Sequence, residues 1–132
     1  ISRYERYKIV ERDEVMYEEF MMDDAETCVV AFGIAARVAK NAINEARAKG
    51  IKVGMIRPIT LWPFPTEVLN KAADKCKAFI SVEMNMGQMI EDVKLSIECK
   101  KPVHLCCRVG GMIPSPEEVL AKIEEVNEGG ER

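Results

Sequence analysis

Apolar runs begin near Cys28, Val53, Phe79 and Val103, and each is followed by a stretch whose apolar residues recur at helical spacing. The intervals between run starts are 25, 26 and 24 residues, which suits one strand and one helix per unit. Runs such as Cys28 to Phe32 are apolar at every position, as a parallel sheet covered on both faces requires. The units repeat as architecture and not as sequence. The pattern therefore predicts an α/β fold with four parallel strands.

The first helix is expected over Ile34 to Lys49. Ile34, Val38 and Ala42, with Ala35, Ala39, Ile43 and Ala46, form an apolar stripe opposite Arg37, Lys40, Asn44 and Arg47, and Gly50 stands where a C-terminal cap belongs. A second helix follows Pro65 and buries Val68, Leu69, Ala72, Ala73 and Cys76; a third carries Met86, Ile90, Val93 and Ile97. The fourth has the clearest start. Ser115, Pro116 and Glu118 spell an N-cap serine, a proline in the first turn and the glutamate of a capping box, ahead of Val119, Leu120, Ile123 and Val126.

Three segments follow from this: 1–24, a docking segment; 25–127, the α/β domain; and 128–132, a polar, frayed tail. Residues 1–24 are densely charged yet hold Tyr4, Tyr7, Ile9, Val10, Val15, Met16, Phe20 and Met21, more apolar weight than a free linker needs. Helical spacing is read from Asp13 to Met22, and Lys8 to Glu11 is read as a short edge strand.

Composition narrows the function. A length of 132 residues and an apolar share of 48% suffice for one core and leave no room for a second domain. The net charge of -3, from 19 basic and 22 acidic residues, forms no long block of either sign, which disfavours nucleic acid and anionic membrane surfaces. No apolar run approaches the roughly 18 residues of a membrane span, and the amino end is charged, so a cytoplasmic location is expected. Cys28, Cys76, Cys99, Cys106 and Cys107 are odd in number and show no C-x-x-C spacing, which points to reduced core thiols and away from disulfides or a metal site. The chain opens on Ile1, with no initiator methionine, and is expected to be a piece of a longer polypeptide.

Ligands of parallel α/β sheets bind outside the carboxyl ends of the strands, and four segments reach that edge. Around Gly33 the sequence A-F-G-I-A-A-R lacks G-x-G-x-x-G, and fits a tight strand-to-helix turn better than a phosphate cradle. From Arg57 to Pro65 three prolines fix an extended path carrying Trp62 and Phe64, which either face a partner or close the core. Arg57 is placed to pair Glu83 on a neighbouring strand or to bind an external anion. Glu83, Asn85, Gly87 and Gln88 cluster at the third strand end, with no second carboxylate or histidine to make an acid-base pair. Arg108, Gly110 and Gly111 form a cationic turn that holds an anionic tail or serves only as a turn. His104, the single histidine, is read as a satisfied structural residue inside a strand. No nucleophile stands beside a base, and no metal ligand set is visible.

Taken in order, A-F-G-I-A-A-R, G-M-I-R-P-I-T-L-W-P-F-P, V-E-M-N-M-G-Q-M and R-V-G-G-M-I-P-S-P-E-E-V resemble the C-terminal domain of the alpha subunit of 2-oxoacid:ferredoxin oxidoreductases, most of all the 2-oxoisovalerate type, from about Asp24 to Val126. The resemblance implies a transketolase C-terminal-like fold, a three-layer α/β/α sandwich on a mainly parallel sheet with one antiparallel strand. That strand falls on Lys8 to Glu11 or lies outside the chain. It further implies an enzyme that decarboxylates a 2-oxoacid on thiamine diphosphate with magnesium, sends electrons through iron-sulfur clusters to ferredoxin, and forms acyl-coenzyme A. Those cofactors would be held by the N-terminal thiamine-binding domain and other subunits, leaving this segment inactive alone and devoted to assembly. The edge residues expected to take part are Arg57, Trp62, Glu83, Asn85, Gly87, Gln88, Arg108, Gly110 and Gly111, with the N-terminal helix and the Trp62 loop at subunit contacts. Two competing expectations are a stand-alone nucleotide- or coenzyme A-binding module and a thiol redox protein using Cys106 and Cys107.

Overall fold

The computed structural model describes residues 7–12, 15–58, 65–83, 90–107 and 114–128. Six strands, β1 (Tyr7–Arg12), β2 (Val15–Phe20), β3 (Thr27–Ala31), β4 (Val53–Pro58), β5 (Ala78–Glu83) and β6 (Val103–Cys107), form one sheet in the order β1-β2-β4-β3-β5-β6. Among the described residues four helices complete the fold: α1 (Ile34–Ala48), α2 (Thr66–Ala73), α3 (Ile90–Ser96) and α4 (Pro116–Asn127). The strands β4, β3, β5 and β6 are mutually parallel, as their continuous apolar runs predict. β2 is antiparallel to both β1 and β4. It alone runs against the others.

The N-terminal segment departs from expectation. Of the helix expected over Asp13 to Met22, the described residues Val15–Phe20 form the strand β2 instead, while the strand expected at Lys8 to Glu11 is present as the edge strand β1. The antiparallel strand is thus β2 and not the Lys8 to Glu11 segment. The physical reason is that polar and apolar residues share each face of β2: Glu18 and Phe20 are buried on one side, Tyr17 and Glu19 half-buried on the other. Phe20 enters the core under α1 while Tyr17 packs on the opposite side, so the period-2 alternation of a half-buried strand is absent.

Two apolar clusters sandwich the sheet. Val29, Met55, Ile80 and Val82 meet the inner faces of α1 and α4, including Ala39, Ile43, Val119 and Ile123. On the other side Val30, Ile56 and Phe79 meet Leu69 of α2, and Val93 and Ile97 in and just beyond α3. The buried face of α1 is Ala35, Ala36, Ala39, Ala42, Ile43 and Ala46, mostly small side chains that let the helix lie close to the strands. Ile34, expected in that stripe, is 60% exposed. It belongs to the surface.

Local signals hold α1 and α4 in place. After α1, Gly50 adopts φ +89, and the Gly50 and Ile51 N–H groups donate to the Arg47 and Ala46 carbonyls at 2.9 and 3.0 Å. That is the Schellman pattern, which only a left-handed residue such as glycine closes cheaply. At α4 the capping box is complete: Ser115 Oγ accepts from the Glu118 N–H at 3.2 Å, and Glu118 Oε1 accepts from the Ser115 N–H at 2.8 Å.

The connection from β2 to β3 passes tightly over β4. A Cβ on Gly54 would sit 2.5 Å from the Met21 carbonyl oxygen and 2.8 Å from Met22 Sδ. Met21 itself takes φ 59, a left-handed conformation unusual for a long side chain. Arg47 fastens this crossing. It donates to Val53 O at 2.9 Å, to Met21 O at 2.8 Å and to both carboxylate oxygens of Asp24 at 2.7 and 3.3 Å.

Candidate functional site

The strand order places β3 at the centre, with β4 and β5 on either side. The chain leaves β3 for α1 on one face and leaves β4 for α2 on the other, the arrangement that opens a crevice at the carboxyl ends of the strands. A cleft of about 550 Å³ lies there, lined by Gly33, Ile34, Ala36, Arg37, Lys40 and Arg57.

Its chemistry is set by one cross-strand pair. Glu18 of β2 stands opposite Arg57 of β4, and Arg57 Nη1 donates to Glu18 Oε1 at 3.2 Å. Lys40 Nζ, from the second turn of α1, approaches the same oxygen at 3.8 Å and lies 5.7 Å from the Phe20 ring centroid, within cation-π range. Glu18 is 1% exposed, so its charge relies on these two cations in place of water. Arg37 stands on the rim, and among the described residues it has no ion pair. Among the described residues Lys40 and Arg57 thus share one carboxylate, and Arg37 lines the same cleft. Ile34, at the start of α1, is an exposed lining residue, and the exposed Phe32 directly precedes Gly33 of the lining in sequence.

Arg57 is at the strand end as expected, but it does not pair Glu83. β3 separates their strands, and the two side chains project to opposite faces: Arg57 toward α1, Glu83 toward the α2 and α3 side. Glu83 is buried and accepts from Ser81 Oγ at 2.8 Å. Trp62, Asn85, Gly87, Gln88, Arg108, Gly110 and Gly111 lie outside the described residues, as does the proline-rich path from 59 to 64. Glu18, Arg37 and Lys40 escaped the sequence reading. The spacing around Glu18 imitates a helix and that of Arg37 and Lys40 fits a solvated helix face; as a strand, V-M-Y-E-E-F sets Glu18 and Phe20 on one face.

His104 differs from expectation. Its Nε2 is shut off from solvent and has no hydrogen-bond partner among the described residues, so the ring is not a satisfied one. Burial, then the Lys122 ammonium, hold its imidazole below the ordinary value, with Glu125 opposing. Burial pushes the Cys76 and Cys106 thiols up to about 11 and raises Cys28 well above its usual range. Cys106 and Cys107 are successive strand residues and point to opposite faces. A high thiol pKa and divergent directions leave no basis for a redox pair there. Among the described residues no three of His, Cys, Asp and Glu gather to hold a metal ion, and no helix is long and apolar enough to cross a membrane.

Comparison with known proteins agrees with this architecture. Residues 25–119 match the pyruvate:ferredoxin oxidoreductase core domain II. Over 122 residues, 92% of the chain, it is 51% identical to the ketoisovalerate oxidoreductase subunit VorB of Methanothermobacter marburgensis. The chain spans about a third of the length of the curated relatives it matches, 34% in that case. In fold it resembles the 2-oxoglutarate:ferredoxin oxidoreductase of Magnetococcus marinus, solved with 2-oxoglutarate, coenzyme A and succinyl-CoA bound, at TM-score 0.69 and 22% identity over 92% of this chain and 19% of that one. It also resembles a split-gene transketolase, an inactive beta4 tetramer, at TM-score 0.70 and 20% identity over 80% of this chain and 39% of that one. The chain belongs to the pyruvate:ferredoxin oxidoreductase core domain II family.

Proposed function

We propose that this chain is the assembly domain of a cytoplasmic 2-oxoacid:ferredoxin oxidoreductase, acting on 2-oxoisovalerate and forming the acyl-coenzyme A. The observation that carries the reading is the 51% identity to a ketoisovalerate oxidoreductase subunit across 92% of the chain. Among the described residues the carboxyl edge offers the Glu18 ion pairs and a cleft lined by Arg37, Lys40 and Arg57, groups suited to holding a neighbouring surface. Thiamine diphosphate, when bound elsewhere in the enzyme, supplies the carbanion chemistry of decarboxylation. The present residues position neighbours. The edge candidates Trp62, Asn85, Gly87, Gln88, Arg108, Gly110 and Gly111 join Arg57 in this role.

The test is reconstitution. The complete subunit with its partners should reduce a viologen dye in a reaction dependent on both 2-oxoisovalerate and coenzyme A, whereas the 132-residue chain should bind no thiamine diphosphate. Absence of turnover with every 2-oxoacid tried would sink the reading. Micromolar binding of coenzyme A or a nucleotide by the isolated chain would favour the stand-alone module instead.

A further inference from the structure

The cleft on the α1 face combines two features that the other charged clusters lack. It has cationic capacity left over, and it has apolar side chains beside that capacity. Arg57 gives one N–H to Glu18 and keeps the rest of its five donors. Arg37 makes no ion pair or hydrogen bond among the described residues. Phe32 and Ile34 are two of the three large apolar side chains exposed among the described residues, at 40% and 60%.

Two kinds of anion could meet such a surface. A small phosphate-bearing solute is the weaker fit, because it would engage the cations and leave the exposed apolar side chains of Phe32 and Ile34 in water. Arginine beside exposed aromatic and aliphatic groups is instead the composition of a protein interface.

We propose that this cleft docks an acidic segment of the assembled oxidoreductase lying outside these 132 residues. An Asp or Glu of that segment sits between Arg37 and Arg57, and a neighbouring apolar side chain covers Phe32 and Ile34. Charge complementarity selects the segment, and the fact that matched relatives are about three times longer than this chain supplies polypeptide to occupy the cleft. The inference rests on the proposed assembly role.

A photo-cross-linking residue, p-benzoylphenylalanine, placed at position 34 of the complete subunit in the assembled enzyme tests it. The expected product joins position 34 to a peptide outside these residues that carries a carboxylate within a few positions. Arg37→Glu should lower the yield about tenfold, and a reversed charge at the captured acidic residue should restore it. Cross-links only within residues 1–132, a captured peptide without a carboxylate, or a yield indifferent to Arg37→Glu would each overturn the inference. Inorganic pyrophosphate suppressing the cross-link at micromolar concentration would also overturn it, in favour of a solute site. An enzyme that assembles and turns over yet shows no Arg37-dependent product sinks this inference alone, whereas failure of assembly or turnover sinks the assembly role with it.

Discussion

The two edges of the sheet each carry a half-buried arginine, and they use it differently. At the amino edge Arg47 is consumed: its donors go to two backbone carbonyls and both oxygens of Asp24. That set ties α1, β4 and the β2–β3 crossing together. At the carboxyl edge Arg57 meets a single oxygen of Glu18, which Lys40 also approaches, while Arg37 stands by on the rim. An edge whose charges are all paired internally serves stability. An edge with donors to spare, next to exposed Phe32 and Ile34, is built to be completed by something else.

The strongest challenge to this contrast is Gly54→Ala. The new Cβ would meet the Met21 carbonyl, which is backbone and held by Arg47, so a loss of about 3 kcal/mol is expected in urea unfolding. A loss below about 1 kcal/mol would mean that the amino edge yields easily. Arg47→Met keeps most of the stem packing and removes the donors; about 2 kcal/mol should go, and a neutral result would show that the paired set contributes little.

His104 lies away from both clusters and gives a pH test independent of them. Its folded value is depressed by burial and Lys122, so the unfolded chain binds the proton first. Stability is full above about pH 6.5 and falls as pH drops through the lower folded value. Thermal melts from pH 8 to pH 5 should show that decline, and His104→Leu should flatten part of it. An unchanged slope would count against the buried, unpartnered Nε2. The smallest effect expected is that of Arg37→Glu on folding, within about 0.5 kcal/mol of the parent. A larger loss would make Arg37 a structural residue and erase the distinction between the edges.

Much of the fold was legible because its determinants are local. Continuous apolar runs betray strands covered on both sides, and the Ser115 to Glu118 box and Gly50 mark helix ends through side chains a few residues apart. The same rule misled at β2, whose apolar residues serve both faces and whose spacing imitates a helix. The site was legible only in outline. Arg57 stands at a strand end as expected, but of its two expected partners, Glu83 or an external anion, Glu83 is out of reach because β3 lies between β4 and β5, an order the sequence does not reveal.

What the sequence determined by itself is the four parallel strands with their helices and the family resemblance carried by four short motifs. Only the tertiary structure decided which charges meet. Strand order and side-chain parity send Arg57 and Glu83 to opposite faces of the sheet, and the reversed strand β2 brings Glu18 beneath Lys40 and Arg57. Those contacts link residues 22 or more positions apart. Pairing at that range depends on register, and register follows from how the whole core packs.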